Sequence, residues 1–387
     1  MPHVAQISFF YDPQGRSPEQ LLNAWHTLVD VAEAASRSGI RTCVVQACSH
    51  TEHFERNGVQ YHFLPFDDGA SQDSRGTAYR ELLGSLAADV FHVHGLDFPR
   101  QVLSLAELCS GVPIILQDHA SRPPRIWRRA AARRGMSAAA GIAFCSLDQA
   151  RPFTKAGLIG ASTQVYEIPE STSRFAPGDR DEARRLTGLE GEPAVLWVGH
   201  LNVNKDPLTV LQGISAAARE LPGLQLYCCF ESAPLLRAVE DRIATDTALR
   251  GRVHLLGRLP HERIELLMRA ADMFVLGSHQ EGSGYSLIEA LACGLPPVVT
   301  DIPSFRSLTG AGSVGALWPC DDSGALCQAL LSVAQRSGSE LRAAVRTHFE
   351  RELSSNALGA KLKTMYADVL TRRRGSLTAA QRQETNP

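Results

Sequence analysis

The chain has 387 residues, of which 44% are hydrophobic and 21% charged, a composition typical of soluble globular proteins. Its length predicts two domains rather than one. Lysine and arginine (39) nearly balance aspartate and glutamate (41), so the formal net charge is -2 and no overall basic field exists, which excludes nucleic acid as the main partner.

The N-terminus and the cysteines favour an intracellular protein. Residues 1–10 lack the charged and apolar regions of a signal peptide, and no run approaches the roughly 18 apolar residues of a membrane span. The nine cysteines include no Cys-x-x-Cys pair. We therefore predict a cytoplasmic protein, and peripheral contact at the inner face of the membrane is compatible with this prediction.

In the first half, apolar strands alternate with helices. This alternation, with strands that are apolar almost throughout, predicts a parallel sheet covered on both faces. The predicted elements are strand Val4–Phe10, helix Pro18–Ser38, strand Arg41–Ala47, an extended segment Tyr61–Leu64, helix Thr77–Ala88, strand Asp89–His94, helix Pro99–Cys109 and strands Pro113–Leu116 and Gly141–Cys145.

The second half repeats the pattern after a joint rich in proline, serine and glycine over residues 168–178. We predict an α/β protein with two doubly wound, Rossmann-like domains over residues 1–170 and 171–365. A C-terminal helix and tail over residues 366–387 would pack back on the first domain. The two domains would face a central cleft, since ligands bind beyond the carboxyl ends of such strands. The strands predicted here are Ala194–Val198, Leu224–Phe230, Val253–Leu256, Asp272–Leu276 and Pro297–Thr300.

The segment Asp272–Thr300 is predicted to form a strand, a polar loop, a helix and a second strand. Gly282 and Gly284 lack a Cβ, so the loop can turn sharply and a ligand can approach closely. The first NH groups of the following helix have no intrahelical partner and favour an anion. Glu281 and Glu289 flank the same place and can accept hydrogen bonds from hydroxyl groups. A nucleotide sugar, which is a diphosphate between two sugars, would use all of these groups.

A second loop with phosphate-binding chemistry follows the strand that ends at Val198. It runs from Gly199 to Lys205 and leads into a helix that begins at Pro207. The positive charge of Lys205 and the N-terminus of the following helix would each favour a bound phosphate. The alternative is a lysine that is solvated at the surface.

Together these motifs resemble those of a known family. Glu281-Gly-Ser-Gly284, Glu289-Ala290, Gly199-x-Leu201, Lys205 and His92-Val-His94-Gly95 resemble the retaining GT-B glycosyltransferases of family 4, also called glycosyl transferases group 1, which include glycogen-synthase and mannosyltransferase-like enzymes. The resemblance covers nearly the whole chain. It implies a GT-B fold, a nucleotide-sugar donor on the second domain, an acceptor on the first, and no metal or other cofactor.

The resemblance also implies roles for residues of the second domain. Glu281 would contact the donor sugar, Glu289 the ribose and Lys205 the diphosphate. His200 stands where the family has an arginine, and it carries a full charge only when protonated. Ser283 stands where the family has an aromatic residue. The implied donor-binding residues are His200, Lys205, Glu281, Gly282, Ser283, Gly284 and Glu289.

In the first domain, His119 follows a predicted strand and resembles the family histidine near the reacting sugar. The alternative is a loop histidine with a purely structural hydrogen bond. We expect His94 to line the site and His92 to point to the opposite face of its sheet. The first βα loop has one glycine, Gly15, where the family has two. The predicted catalytic residues are His119, Lys205 and Glu281, and the predicted acceptor-side residues are Gly15, His94, Arg122 and Arg125.

The segment 122–134 holds six arginines and no acidic residue. With Trp127 among them, these arginines could contact anionic lipid or a phosphorylated acceptor, because guanidinium groups match the geometry of phosphate. The alternative is a solvated helix face. Asp179-Arg-Asp181 resembles a metal-binding Asp-x-Asp motif, but helix capping explains an aspartate there.

We therefore predict a retaining, metal-independent glycosyltransferase that moves a sugar from a nucleotide sugar to a hydroxyl of a glycan, a lipid-linked molecule or a small molecule. Two alternatives remain open. One is a GT-B nucleotide-sugar epimerase, and the other is a catalytically weak protein that binds nucleotide sugars.

Overall fold

The computed structural model describes residues 1–65, 81–119, 121–160, 163–336 and 338–384. The chain forms two compact units, Met1–Ser171 with Ser355–Pro387, and Thr172–Ser354. Residues 66–80 lie outside the described residues, and they include the predicted start of the helix Thr77–Ala88. Residues 81–86 of that helix are helical.

The first unit is built on an eight-stranded sheet with the strand order β3-β4-β2-β1-β5-β6-β7-β8. The neighbouring strands are parallel, apart from the antiparallel pair β3 and β4. The order reverses between β1 and β5, so the loops after these two strands diverge at the carboxyl edge, where doubly wound sheets bind ligands. The strands are β1 His3–Ser8, β2 Arg41–Cys48, β3 Glu52–Arg56, β4 Val59–Pro65, β5 Val90–His94, β6 Ile114–Gln117, β7 Gly141–Phe144 and β8 Gln164–Glu167.

Strands β3 and β4 form a hairpin that the sequence analysis did not predict. Its turn is Asn57-Gly58, and both residues have positive φ angles, of 52° and 74°. Two successive positive φ angles are the requirement of a type I′ turn, which Asn-Gly satisfies with little strain. The dipeptide was therefore a usable signal for this hairpin.

The terminal helix Ser355–Glu384 completes the core of the first unit. Leu358, Leu362 and Tyr366 are fully buried in the same cluster as Val4 of β1. The predicted boundary at residue 365 therefore falls inside a helix that belongs to the first unit. The other helices of this unit are Pro18–Ala24, His26–Arg37, Pro99–Leu108, Arg129–Ser137 and Leu147–Lys155, and a 3-10 helix spans Ile126–Arg128.

The second unit contains a parallel sheet of six strands with the order β11-β10-β9-β12-β13-β14. Its order reverses between β9 and β12, which makes the carboxyl ends of those strands the expected ligand site. The strands are β9 Ala194–Val198, β10 Gln225–Cys229, β11 Val253–Gly257, β12 Met273–Leu276, β13 Pro297–Thr300 and β14 Ala316–Trp318. The helices are Arg180–Thr187, Pro207–Ala217, Leu236–Thr245, His261–Ala270, Tyr285–Ala292, Pro303–Leu308, Ser323–Arg336 and Ser339–Glu352.

Asp179 caps the helix Arg180–Thr187, as the sequence predicts. Its Oδ1 accepts a hydrogen bond from the backbone N of Glu182 at 2.8 Å, at the start of the helix Arg180–Thr187.

Within the described part of the chain, no helix combines the length and the apolar character needed to cross a bilayer.

Candidate active site

The loops after β9 and β12 are joined at the point where the strand order reverses. The side-chain Nδ2 of Asn204 donates a hydrogen bond to the backbone O of Gln280 at 2.9 Å. The backbone N of His279 donates to the backbone O of Asn204 at 2.8 Å. These bonds hold together the two loops that the sequence analysis assigned to the donor.

Lys205 and Glu281 form an ion pair between these loops, from Nζ to Oε1. Their side chains are only 15% and 13% exposed. The backbone N of Lys205 also donates to Oδ1 of Asn202 at 3.0 Å, which fixes the start of the lysine side chain. Because each charge is largely withdrawn from water, removing either partner would leave the other poorly compensated.

The glycine loop leads into the helix Tyr285–Ala292. Gly284 occupies the N-cap position with φ 59°, and a Cβ there would lie 2.8 Å from Cδ1 of Leu308. A residue with a side chain would therefore be strained and crowded at this position. Gly282 and Ser283 precede it, so the predicted phosphate-binding loop does meet a helix N-terminus.

Glu289 lies on that helix, and its side chain pairs with His261. The Oε1 atom of Glu289 and Nε2 of His261 form a hydrogen bond, and Glu289 is 3% exposed. Burial raises the pKa of Glu289, and the hydrogen bond with Glu289 raises the pKa of His261. Glu289 and His261 therefore hold a proton between them. His261 is a polar neighbour of this site that the sequence analysis did not single out.

His200 is exposed, and its ring is fixed on one side. Its Nδ1 lies 3.3 Å from the backbone N of Ser232, which is the donor. This contact places the ring proton of the neutral imidazole on Nε2. One N–H donor of His200 therefore remains for a ligand, whereas the family arginine would offer a charged fork.

In the first unit, four buried or partly buried side chains form a continuous chain of hydrogen bonds. Nδ1 of His119 lies 2.9 Å from Oε2 of Glu170, and Nε2 of His119 lies 3.1 Å from Nδ1 of His94. Nε2 of His94 lies 3.2 Å from Oε1 of Gln6. The structure therefore brings together the predicted residues His94 and His119, and it adds Glu170 and Gln6.

The expectation that His92 and His94 point to opposite faces is wrong. Their rings stack with centroids 4.9 Å apart. Residues two positions apart on a strand lie on the same face, so the spacing itself required this arrangement. His92 is fully buried, and its Nδ1 lies 2.7 Å from the hydroxyl of Tyr366.

Burial keeps His94 uncharged. It lowers the pKa of His94 well below its ordinary value, so His94 is neutral near pH 7. Glu170 is 3% exposed, and its Oε1 has no hydrogen-bond partner among the described residues. The carboxylate of Glu170 therefore depends on His119 for its stabilisation at Oε2.

Asp118 adjoins His119, and burial raises its pKa to about 6. Its Oδ1 accepts a hydrogen bond from the backbone N of Ser121 at 3.0 Å. An unfolded aspartate titrates near pH 3.9. Since the folded state holds its proton to higher pH, the stability cost of ionising Asp118 develops as the pH rises from about 4 to about 6.

We expect Asp118→Asn to remove this cost while keeping the acceptor for Ser121. The free energy of unfolding of the wild type should fall relative to the variant by about 2 kcal/mol between pH 4 and pH 7, because the folded pKa of about 6 lies above that of the unfolded aspartate. Urea unfolding of both proteins at these two pH values measures the difference. A difference that stays constant with pH would contradict the assignment.

The other predicted acceptor-side residues lie on loops of the first unit. Gly15 has φ 62°, and its backbone N donates to the backbone O of Asp12 at 3.1 Å, so it closes a turn after β1. Arg125 stacks on Trp127, with its guanidinium carbon 5.4 Å from the ring centroid. Arg122 follows β6 and is exposed.

One group of side chains in the second unit has the composition of a cation site. Atoms of Asp206, His279 and Asp321 lie within 4.8 Å of one another. Asp321 is 77% exposed, and Oδ1 of Asp206 already accepts from the backbone N of Thr209 at 3.2 Å. Direct contacts of Nε2 of His279 with these carboxylates, at 3.4 Å from Asp206 and 3.8 Å from Asp321, explain the same arrangement, so the prediction of metal independence stays a prediction.

Comparison with known proteins assigns a family to the second unit. Residues 179–348 match the family model described as Glycosyl transferases group 1. The second unit is a group 1 glycosyl transferase domain. This domain contains the loop of Lys205, the loop of Glu281 and the helix of Glu289.

The relatives of the chain include two bacterial glycosyltransferases. The chain is 26% identical over 285 residues to the GDP-mannose:cellobiosyl-diphosphopolyprenol alpha-mannosyltransferase of Xanthomonas campestris, covering 71% of this chain and 72% of that protein. It is 30% identical over 151 residues to the D-inositol 3-phosphate glycosyltransferase of Nocardia farcinica, covering 38% of this chain and 34% of that protein.

The crystal structure of HepE from Anabaena in complex with UDP and glucose is similar to this protein, with a TM-score of 0.68 at 14% identity over 95% of this chain and 100% of that one. This likeness concerns the fold, and it confirms the predicted GT-B class. The predicted family is confirmed for residues 179–348, and the predicted enzyme class, a glycosyltransferase, is also confirmed.

Proposed function

We propose that the protein is a retaining, metal-independent glycosyltransferase that moves a sugar from a nucleoside diphosphate sugar to an acceptor hydroxyl. The observation that carries the proposal is the ion pair of Lys205 and Glu281 at the reversal of the strand order, beside the helix N-terminus at Gly284. A cation and a helix N-terminus suit a diphosphate, and a carboxylate suits sugar hydroxyls.

In the proposed reaction the bond between the anomeric carbon and the diphosphate oxygen breaks. The acceptor oxygen forms a bond to the same face of that carbon, and its proton passes to the departing phosphate oxygen. Lys205, Nε2 of His200 and the helix N-terminus stabilise the negative charge that grows on the diphosphate. Glu281 orients the sugar, and Glu289 accepts hydrogen bonds from the ribose.

His119 contributes from the first unit by binding a sugar hydroxyl. Both of its ring nitrogens have partners in the structure, Glu170 at Nδ1 and His94 at Nε2. Nε2 is the atom that can exchange its partner, because His94 can keep its bond to Gln6. A sugar hydroxyl would therefore replace His94 at Nε2, while Glu170 keeps the ring in place.

The test is release of nucleoside diphosphate from a panel of UDP, GDP and ADP sugars, with and without extracts that contain acceptors. We expect the release of nucleoside diphosphate to require one particular donor from the panel and also an acceptor. Conversion of a nucleotide sugar to its epimer without an acceptor would favour the epimerase. Binding of a donor without turnover by any extract would favour the weak binding protein.

Metal independence leads to a separate expectation. Treatment with EDTA followed by gel filtration should leave at least half of the transferase activity, because Lys205 supplies the charge that a metal would otherwise provide. As a comparison, Asp321→Asn removes one carboxylate of the possible cation group and should also keep the activity. Loss of activity on chelation, with recovery on adding Mg²⁺ or Mn²⁺, would contradict metal independence.

Peripheral contact with an anionic membrane is also part of the proposal. Ile126 and Trp127 are 77% and 71% exposed within the arginine-rich segment 122–134. Such aromatic and basic residues suit the boundary between lipid headgroups and acyl chains. Sedimentation with vesicles containing phosphatidylglycerol should recover the wild type, and Trp127→Ala should reduce the bound fraction. Equal recovery of the two proteins would contradict this contact.

A further inference from the structure

A cavity of about 570 Å³ lies in the first unit at the carboxyl edge of its sheet. Its lining includes Phe9 after β1, Leu96 after β5 and Arg122 after β6. These loops follow neighbouring strands at the reversal of the strand order, where ligands of doubly wound sheets bind. The volume is in the range of sites for small molecules.

The floor of the cavity is apolar. Phe9, Met136 and Phe153 line it and are 4%, 2% and 2% exposed. The helix that carries Met136 lies close against the helix that begins at Pro99, since a Cβ on Gly135 would fall 2.7 Å from Cα of Pro99. This close approach fixes one wall of the cavity. Such a floor favours a hydrocarbon chain over a polar ligand.

The rim of the cavity is positively charged. Arg100, Arg122 and Arg128 line it and are exposed, and the acidic residue among the lining residues is Asp97. Three guanidinium groups and one carboxylate leave net positive charge at the mouth. Guanidinium groups bind phosphate oxygens in pairs of hydrogen bonds, so the rim suits a phosphate.

We propose that this cavity binds the acceptor, and that the acceptor is an amphiphile in which a phosphate or diphosphate joins an apolar chain to the part that receives the sugar. The chain lies on the floor and the phosphate on the arginine rim. In the proposed complex the receiving hydroxyl lies toward His94 and His119, because Leu96 and Arg122, which line the cavity, follow these histidines by two and three residues. This inference rests on the proposed function and assigns its acceptor class.

The buried floor distinguishes a single bound chain from contact with a lipid surface. Ile126 is 77% exposed and does not line the cavity, so it can meet a bilayer without any ligand in the cavity. Met136 and Phe153 are buried, so only a chain that enters the cavity can reach them. The inferred ligand therefore binds as a single molecule and does not need a membrane.

The experiment measures binding of decyl phosphate below its critical micelle concentration, by isothermal titration calorimetry with the full chain. Inorganic phosphate tests the head alone, and decyl maltoside tests a neutral head with the same chain. The variants are Arg128→Glu, at the rim, and Arg134→Glu, which changes the charge equally in the same segment but outside the cavity. Thermal unfolding of each variant verifies that it is folded.

We expect decyl phosphate to bind at least tenfold more tightly than either comparison ligand. Arg128→Glu should weaken that binding about tenfold or more, and Arg134→Glu should change it less than twofold. Equal weakening by both variants would show a general electrostatic surface and overturn the inference. Equal affinity for inorganic phosphate or for decyl maltoside would also overturn it. Binding of UDP or GDP is measured in parallel, so that failure of the acceptor inference is distinguished from failure of the proposed function.

Should Arg128→Glu not fold, Arg122→Gln takes its place at the rim. It removes one guanidinium charge without introducing a carboxylate, and Arg134→Gln is then its matched control. The same comparison applies: a loss of affinity confined to the rim variant supports the cavity, and an equal loss in the two variants overturns it.

Discussion

Replacing Lys205 by alanine is expected to lower kcat/KM for nucleotide-sugar turnover by about 10²- to 10³-fold. Lys205 is the cation that reaches across to Glu281 at the reversal of the strand order in the second unit. Its loss removes positive charge from the place where the departing diphosphate becomes more negative. It also removes the ion pair between Lys205 and Glu281, so that the carboxylate of Glu281, which is 13% exposed, opposes an anionic ligand.

Two further variants separate these effects. Glu281→Gln alone should weaken binding of the donor sugar, and the double variant Lys205→Ala with Glu281→Gln should be less impaired than the product of the two single losses. The reason is that the double variant no longer places the largely buried carboxylate of Glu281 opposite the anionic donor. Lys155→Ala, an exposed lysine of the first unit, is the matched control and should behave as the wild type.

The measurement is initial-rate kinetics with saturating acceptor, together with titration of UDP or GDP. An activity of Lys205→Ala within threefold of the wild type would mean that the diphosphate binds elsewhere. If the losses of the two single variants multiply in the double variant, the contact between Lys205 and Glu281 makes no contribution in the complex with donor.

The second large effect is expected at His119 and at Glu170, which holds it. His119→Ala should lower kcat about 10²-fold, because a hydrogen bond to the reacting sugar is lost. Glu170→Gln should lower kcat about tenfold and leave the donor KM within twofold. Glutamine can donate as well as accept, so it no longer selects the ring form with a proton on Nδ1. Glu170 is thus a positioning residue.

The comparison of the single and double variants tests this role. In a His119→Ala background, Glu170→Gln should cause little further loss of kcat, because the group that Glu170 positions is already absent. Glu170→Asp should restore part of the activity lost in Glu170→Gln. Glu167→Gln, a nearby glutamate on β8, is the control. An equal loss on both backgrounds would mean that Glu170 acts independently of His119.

Most of the fold could be predicted from the sequence because the central strands are continuous apolar runs separated by helices. The strands that were missed, β3, β8 and β14, all lie at sheet edges. These three strands are more exposed than the central strands, so they lack the apolar run that marks the others. Ala316–Trp318, for example, is three residues long.

The site was predictable where one local motif carries it and not where distant residues meet. Glu281, Gly284 and Glu289 lie within one strand-loop-helix segment, so their spacing alone indicated a ligand site. Glu170 reaches His119 across 51 residues of sequence, and His261 reaches Glu289 across 28. No spacing rule connects such pairs, because the strand order of each sheet decides which loops become neighbours.

The terminal helix Ser355–Glu384 has a consequence for how the protein is made. The chain leaves the first unit after Ser171 and returns to it at Ser355, so the whole second unit is synthesised in between. Leu358, Leu362 and Tyr366 are needed to complete the first core, and they leave the ribosome only after residues 172–354. During synthesis the second unit can therefore reach its final structure first, and the unit that begins the chain is the last to be completed.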